Sequence, residues 1–198
     1  MKSMLIQRSV KSYIDQLSSD APTPGGGSAS AVVASLGVSL LLMVAKITRK
    51  KLGGAQQKKI DKTISLLNRV LKDTEQIIDL DVRVYQALMK SYQAAKKTKI
   101  NRGAAQRKIE ISLINSFRLQ ADLALLILMA KGALPFLHSA AKGSIRNDLS
   151  VARGFLDGAF HGAVSTARIN LAYLHSRKKS HFERAVASLE KKFYGIKI

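Results

Sequence analysis

A chain of 198 residues suits one domain with a sizeable core, and 46% apolar residues with only three prolines mark it as globular, not disordered. It has no cysteine, which excludes disulfides and thiolate chemistry. A formal charge of +20 favours anionic partners in general, but no basic region is joined to a zipper, a zinc signature or an aromatic platform, so nucleic acid is not the expected partner.

The start of the chain turns polar by Gln7 and Arg8 and lacks the apolar core of a signal peptide, so a cytoplasmic protein is expected. A first helix is predicted from Ser3 to Ser18, with Leu5, Val10, Tyr13, Ile14 and Leu17 on its apolar side. Pro22 and Pro24 forbid a helix up to Gly25, and Gly25, Gly26 and Gly27 then supply backbone without side chains. Ser28 is the expected N-cap of the next helix, predicted to end at Thr48. Pro24 to Ser28 thus forms a bare loop feeding a helix N-terminus, a place that favours an anion. The Ser28–Thr48 helix is apolar nearly all round, but it carries Ser30, Ser35 and Ser39 and is marginal against the roughly 20 residues a bilayer needs. A central core helix is therefore expected, with no membrane span.

After a break at Lys50–Gly54, apolar residues recur at steps of four and three: Ile60, Ile64, Leu67, Leu71, Ile78, Val82, Tyr85, Met89 and Tyr92, with Thr74 in the skipped slot. That is the seam of a long bundle helix. A polar, basic connection from Ala94 to about Arg102 leads to a helix from about Gln106 to Lys131, broken by Gly132–Pro135. Asn147 and Asp148 are candidate caps of a helix running to about His175, and Ser180–Phe193 is a basic terminal helix. No segment alternates with period two. The expected fold is all-α, one domain over 1–198, a bundle of long antiparallel helices.

Within the long helix, periodicity separates two carboxylates. Asp79 aligns with Arg83, Gln86 and Lys90 on the wet face, available to Arg83. Asp81 aligns with Tyr85, Leu88 and Tyr92 on the apolar side. A carboxylate there is either paired with a neighbouring helix or raised in pKa, and a raised pKa suits general acid–base work. Gly154, Gly158 and Gly162 recur every fourth residue, which points to close approach of another helix. Asn170 sits among small residues and needs hydrogen-bond partners if buried. The four histidines lack two-ligand helical spacing, so no metal is expected.

Asp20 to Ala29, followed by an Ala/Val/Leu-rich helix, resembles the start of the cyclodeaminase/cyclohydrolase family, which includes the C-terminal domain of formiminotransferase-cyclodeaminase and free-standing methenyltetrahydrofolate cyclohydrolases. The resemblance continues at Asp81–Tyr85, at Ala94-Ala95-Lys96 against a family Leu-Pro-Lys, at Asn147-Asp148-Leu149 against Ser-Asp-Leu, and at Ile169-Asn170-Leu171. It implies an all-helical homodimer with a folate site near the glycine loop, Asp81 as the proton-moving residue and Tyr85 orienting it. It implies Lys96 and Arg107 as holders of carboxylates, and Pro24 to Ser28, Asp148 and Asn170 as further substrate contacts. The tetrahydrofolate derivative would be the substrate and no cofactor is implied. A polyglutamate tail, which folates often carry, would find a track on the basic surface. Two reactions are open: hydrolysis of 5,10-methenyltetrahydrofolate and deamination of formiminotetrahydrofolate. Hydrolysis is preferred, since 198 residues leave no room for a transferase domain. A non-catalytic basic binding module on the same fold is the competing reading.

Overall fold

The computed structural model describes residues 4–97, 102–175 and 178–197. In chain order the helices are α1 (Val10–Leu17), α2 (Gly26–Arg49), α3 (Gly54–Lys97), α4 (Arg102–Lys131), α5 (Leu134–Ala140), α6 (Arg146–Ala172) and α7 (Lys179–Gly195), and no strand occurs among the described residues. Short 3-10 turns at Leu5–Gln7 and Gly143–Ile145 precede α1 and α6. Helices α2, α3, α4 and α6 form the bundle. Helix α2 packs against α3 and α6, α4 packs against the same two from the other side, and α7 closes over α4 and α6.

Each boundary has a local cause. Helix α2 starts at Gly26, just past Pro24, which breaks any helix carried over from the preceding segment, with the extended Gly25 as N-cap. Ser28 is therefore not the cap; it is fully buried inside the first turn, its hydroxyl 3.1 Å from the Tyr13 hydroxyl. Helix α3 runs unbroken for 44 residues from Gly54, which takes the left-handed φ of +56° that glycine permits. The skipped seam position, Thr74, is fully buried and lies 3.0 Å from the Ser35 hydroxyl of α2, so the two hydroxyls satisfy each other. Helix α4 begins at Arg102, earlier than the predicted Gln106; the connection at 98–101 lies outside the described residues. Asn147 and Asp148 fall within the first turn of α6 and do not cap it. Asp148 still meets the positive end of the helix dipole there.

The terminal helix is fastened by aromatic side chains. Phe193 stacks on Phe160 with ring centroids 3.7 Å apart, and Phe182 meets Phe117 at 4.7 Å. Lys131, almost wholly buried, pairs with Asp157 at 2.7 Å and lies 3.6 Å over the Phe193 ring.

Three further expectations change. In α1 Tyr13 is buried, but Val10, Ile14 and Leu17 are exposed, so the apolar stripe of that helix faces away from the core. Of the glycine stripe only Gly162 meets another helix, where a Cβ would strike Ser30 of α2; Gly154 and Gly158 open onto empty space. Asp79 is half-buried, not a wet-face carboxylate. It accepts the backbone N–H of Leu5 at 2.7 Å and of Ile6 at 3.3 Å, tying the 3-10 turn to α3. Asp79→Ala should lower unfolding free energy by about 1–2 kcal/mol, the range for charge-assisted hydrogen bonds at a partly wet site. Faster amide exchange at Leu5 and Ile6 would accompany it; unchanged exchange would mean that the turn holds itself.

By length and composition α2 and the run Arg102–Ala140 are apolar enough to cross a membrane; most of the α2 stretch is buried within the bundle.

Candidate active site

Asp81 leaves α3 towards the first turn of α2. Its Oδ2 accepts the Ser28 N–H at 3.0 Å, and its Oδ1 accepts the amide of Gln120 from α4 at 2.7 Å. The carboxylate therefore supplies what the N-cap of α2 lacks: Gly25 has no side chain to take up the free amides, and an acceptor from another helix does so. The favourable anion at this helix N-terminus is the protein's own.

Gly27 makes the approach feasible. A Cβ there would fall on Asp81 Oδ1 and Gln120 Nε2, well inside contact distance. Gly25 and Gly26 are under no such pressure, since a Cβ on them would lie 3.9 and 3.8 Å from its nearest neighbour. Burial drives the Asp81 pKa above the ordinary 3.8, and the hydrogen bonds from Ser28 and Gln120 pull it back only in part.

Beside Asp81 lies a cavity of about 590 Å³. The extended loop before α2 and the first residues of that helix contribute Pro22, Thr23 and Gly25–Gly27 to its wall. Helix α3 contributes Val84, Tyr85, Leu88, Met89 and Tyr92 beside Asp81, α4 contributes Leu113 and Ser116, and α6 contributes Thr166, Ile169 and Asn170, with Tyr173 just past its end. Among the described residues Asp81 is the only charged side chain in that wall. Such a slot takes a flat, largely apolar molecule with a few polar atoms, and it favours a positive or neutral centre opposite Asp81.

The expected site residues divide accordingly. Asp81, Tyr85, Gly25, Gly26, Gly27 and Asn170 come together at the cavity, with Asn170 anchored by donating its side-chain N–H to the Thr166 carbonyl at 2.8 Å. Pro24, preceded by a cis peptide, is buried behind the wall, and Ser28 faces Tyr13. Lys96 in the last turn of α3, Arg107 in α4 and Asp148 in α6 lie outside the wall, the first two exposed. Sequence reasoning missed Gln120, Ser116, Thr166, Tyr92 as a wall residue, and Tyr173. The signal for Gln120 was its register with Leu113, Phe117, Leu123 and Ala124 along one apolar stripe of the helix.

The family model described as formiminotransferase-cyclodeaminase matches residues 9–188. The chain belongs to the formiminotransferase-cyclodeaminase family. It is 32% identical over 111 residues to a methenyltetrahydrofolate cyclohydrolase of Methylorubrum extorquens, a match covering 52% of this chain and 50% of that protein. It is 26% identical over 171 residues to the formimidoyltransferase-cyclodeaminase of Mus musculus, covering 84% of this chain and 31% of that one. The matches thus span half or less of these curated relatives. In fold, it is similar to a formiminotetrahydrofolate cyclodeaminase from Thermotoga maritima, with a TM-score of 0.74 at 20% identity over 96% of this chain and 91% of the other. The family's all-helical architecture is therefore shared along nearly the whole chain, and Asp81, Gly27 and Gln120 all lie inside the matched segment.

Proposed function

We propose that this member of the family hydrolyses 5,10-methenyltetrahydrofolate to 10-formyltetrahydrofolate, with Asp81 moving the proton. The observation that carries the reading is a single carboxylate, half-buried and so raised in pKa, on the wall of a cavity sized for a bicyclic ring system. The methenyl bridge is an amidinium, and a positive centre opposite Asp81 offsets the cost of burying that charge. As water oxygen bonds to the bridging carbon, Asp81 accepts a water proton. It then gives that proton to N5 as the carbon–N5 bond breaks, and the remaining hydroxyl proton leaves to solvent as the formyl carbonyl forms. Tyr85, one turn along α3, orients the carboxylate or the water. Asn170 and the Gly25–Gly27 backbone contact the ring. Lys96 and Arg107, exposed near the α3–α4 connection, are suited to carboxylates on the part of the folate left outside, a polyglutamate tail included.

The cyclodeaminase reading uses the same carboxylate, and relatives named formimidoyltransferase-cyclodeaminase favour it. The two are separated by mixing purified protein with each folate. Accelerated loss of methenyltetrahydrofolate absorbance supports hydrolysis; ammonia release from formiminotetrahydrofolate alone supports deamination. Silence in both, with salt-sensitive binding of a polyanion, supports the non-catalytic basic module.

A homodimer belongs to the same proposal. Leu36 and Met43 on α2 and Val151 and Phe155 on α6 are exposed, next to the open Gly154 and Gly158. An apolar, nearly uncharged face on two adjacent helices suits a second copy of the chain. Light scattering should give twice the chain mass for the wild type and the monomer for Leu36→Glu with Phe155→Glu; a wild-type monomer rejects it.

A further inference from the structure

Gln120 lies at 1% exposure on α4, and only one end of its amide is engaged. Nε2 donates to Asp81, while Oε1 is buried with no hydrogen-bond partner among the described residues. A buried acceptor left unmet is a standing cost, and folded proteins rarely carry one without a reason. The chemistry of the neighbour supplies the reason. As a carboxylate Asp81 needs donors; as a carboxylic acid it holds a proton and needs an acceptor. Ser28 offers only a backbone N–H, so it serves the first state alone. A carboxamide serves both, because its terminal torsion is broad and nearly two-fold, and a half-turn exchanges Nε2 for Oε1.

We propose that Gln120 is a positioning residue that follows the proton on Asp81, donating to the carboxylate through Nε2 and accepting from the acid through Oε1. The proposal rests on the reading of Asp81 as the proton-moving group. Gly27 gives the amide its room beside Asp81, since any side chain there would occupy the place of Nε2. Gln120 is absent from the cavity wall, so it acts through Asp81 and not on the ligand.

The groups that face Asp81 leave this role to Gln120. From α1 comes Tyr13, whose hydroxyl is pushed up by burial and meets Ser28. On α3 itself Tyr85 and Tyr92 share the cavity, and Asp79 points to the Leu5 amide. Helix α2 presents Ser28, α4 presents Ser116, and α6 with its end presents Thr166, Asn170 and Tyr173. None of the described neighbours is a cation that could take over the stabilisation of the carboxylate.

The test uses the full chain. The carboxyl carbon of Asp81 is followed by carbon NMR against pH without substrate, assigned by its loss in Asp81→Asn, and kcat/KM for methenyl hydrolysis is measured over the same range. In Gln120→Leu the Asp81 titration should move to higher pH, because both forms lose a hydrogen bond and the charge-assisted one to the carboxylate is the stronger. At pH below the Asp81 titration kcat/KM should fall about tenfold, and the loss should shrink as pH rises through it. If Leu at this position prevents folding, Gln120→Glu decides: its carboxyl should couple to Asp81 and split the titration into two steps. An unmoved Asp81 titration in Gln120→Leu, or a single unchanged step in Gln120→Glu, overturns the proposal. A moved titration in a protein that turns over neither folate keeps the role of Gln120 and rejects the proposed reaction.

Discussion

Asp81→Asn is expected to abolish methenyltetrahydrofolate hydrolysis, by about a hundredfold or more, and to leave the protein at least as stable as the wild type at neutral pH. The two halves have one cause. Burial raises the Asp81 pKa in the fold above 3.8, so ionisation is easier in the unfolded chain. Wild type and variant should therefore be closest in stability below that value. As pH rises from there through the folded pKa, the wild type loses stability relative to the variant, and the gap then stays constant. Asparagine keeps the volume and can still accept from one donor without carrying the charge. Parallel denaturant titrations of both proteins across pH check the sign. A variant clearly less stable at neutral pH would mean that Asp81 is kept to cap α2 and hold the fold together. Retained turnover would remove it from the chemistry.

Gly27→Ala should cost nearly as much activity through a position with no functional group. In a helix interior alanine is favoured over glycine by about 1 kcal/mol, so intrinsic propensity argues for the substitution. Space argues against it, because the new methyl would overlap Asp81 Oδ1 and Gln120 Nε2 together. Both atoms are ends of side chains and can swing aside, but only by giving up the 2.7 Å bond between them. Activity should drop about tenfold or more while the unfolding midpoint moves little, and Gly103→Ala, a helical glycine outside the cavity wall whose methyl would meet nothing within 4 Å, serves as the steric control. Equal activity in the two variants would show that the Asp81–Gln120 geometry is not needed.

What was legible in the sequence was the helical periodicity and the elements that break it. The four-and-three spacing of α3 foretold a long bundle helix, including the slot filled by Thr74, and it turned Asp81 inward. The prolines foretold a break ending at Gly25, though α2 then begins at Gly26 and not at the expected Ser28. What was not legible depends on partners far apart in the chain. Ser28 obeys the local rule for a cap, yet the cap comes from Asp81 on another helix, which no local pattern encodes. Asp79 lines up with basic residues along α3, yet backbone amides near the start of the chain claim it. Gln120 reads as a tolerated polar residue until Asp81 is seen beside it. The stripe Val10, Ile14 and Leu17 has core-like periodicity but faces outward, because amphipathic spacing says that a face is apolar and not what covers it.

The cavity wall carries one charge among the described residues, and it is negative, in a chain whose formal charge is +20. The two signs act over different distances. The outer field reaches about 10 Å at ordinary ionic strength and gathers anions from solution. The inner carboxylate acts at contact and turns them away. A simple anion is drawn to this protein and refused entry, whereas a molecule with a negative tail and a positive or neutral head is both drawn in and accepted. Dissolved salt therefore bears on how fast such a molecule arrives, and hardly on what happens to its head once seated.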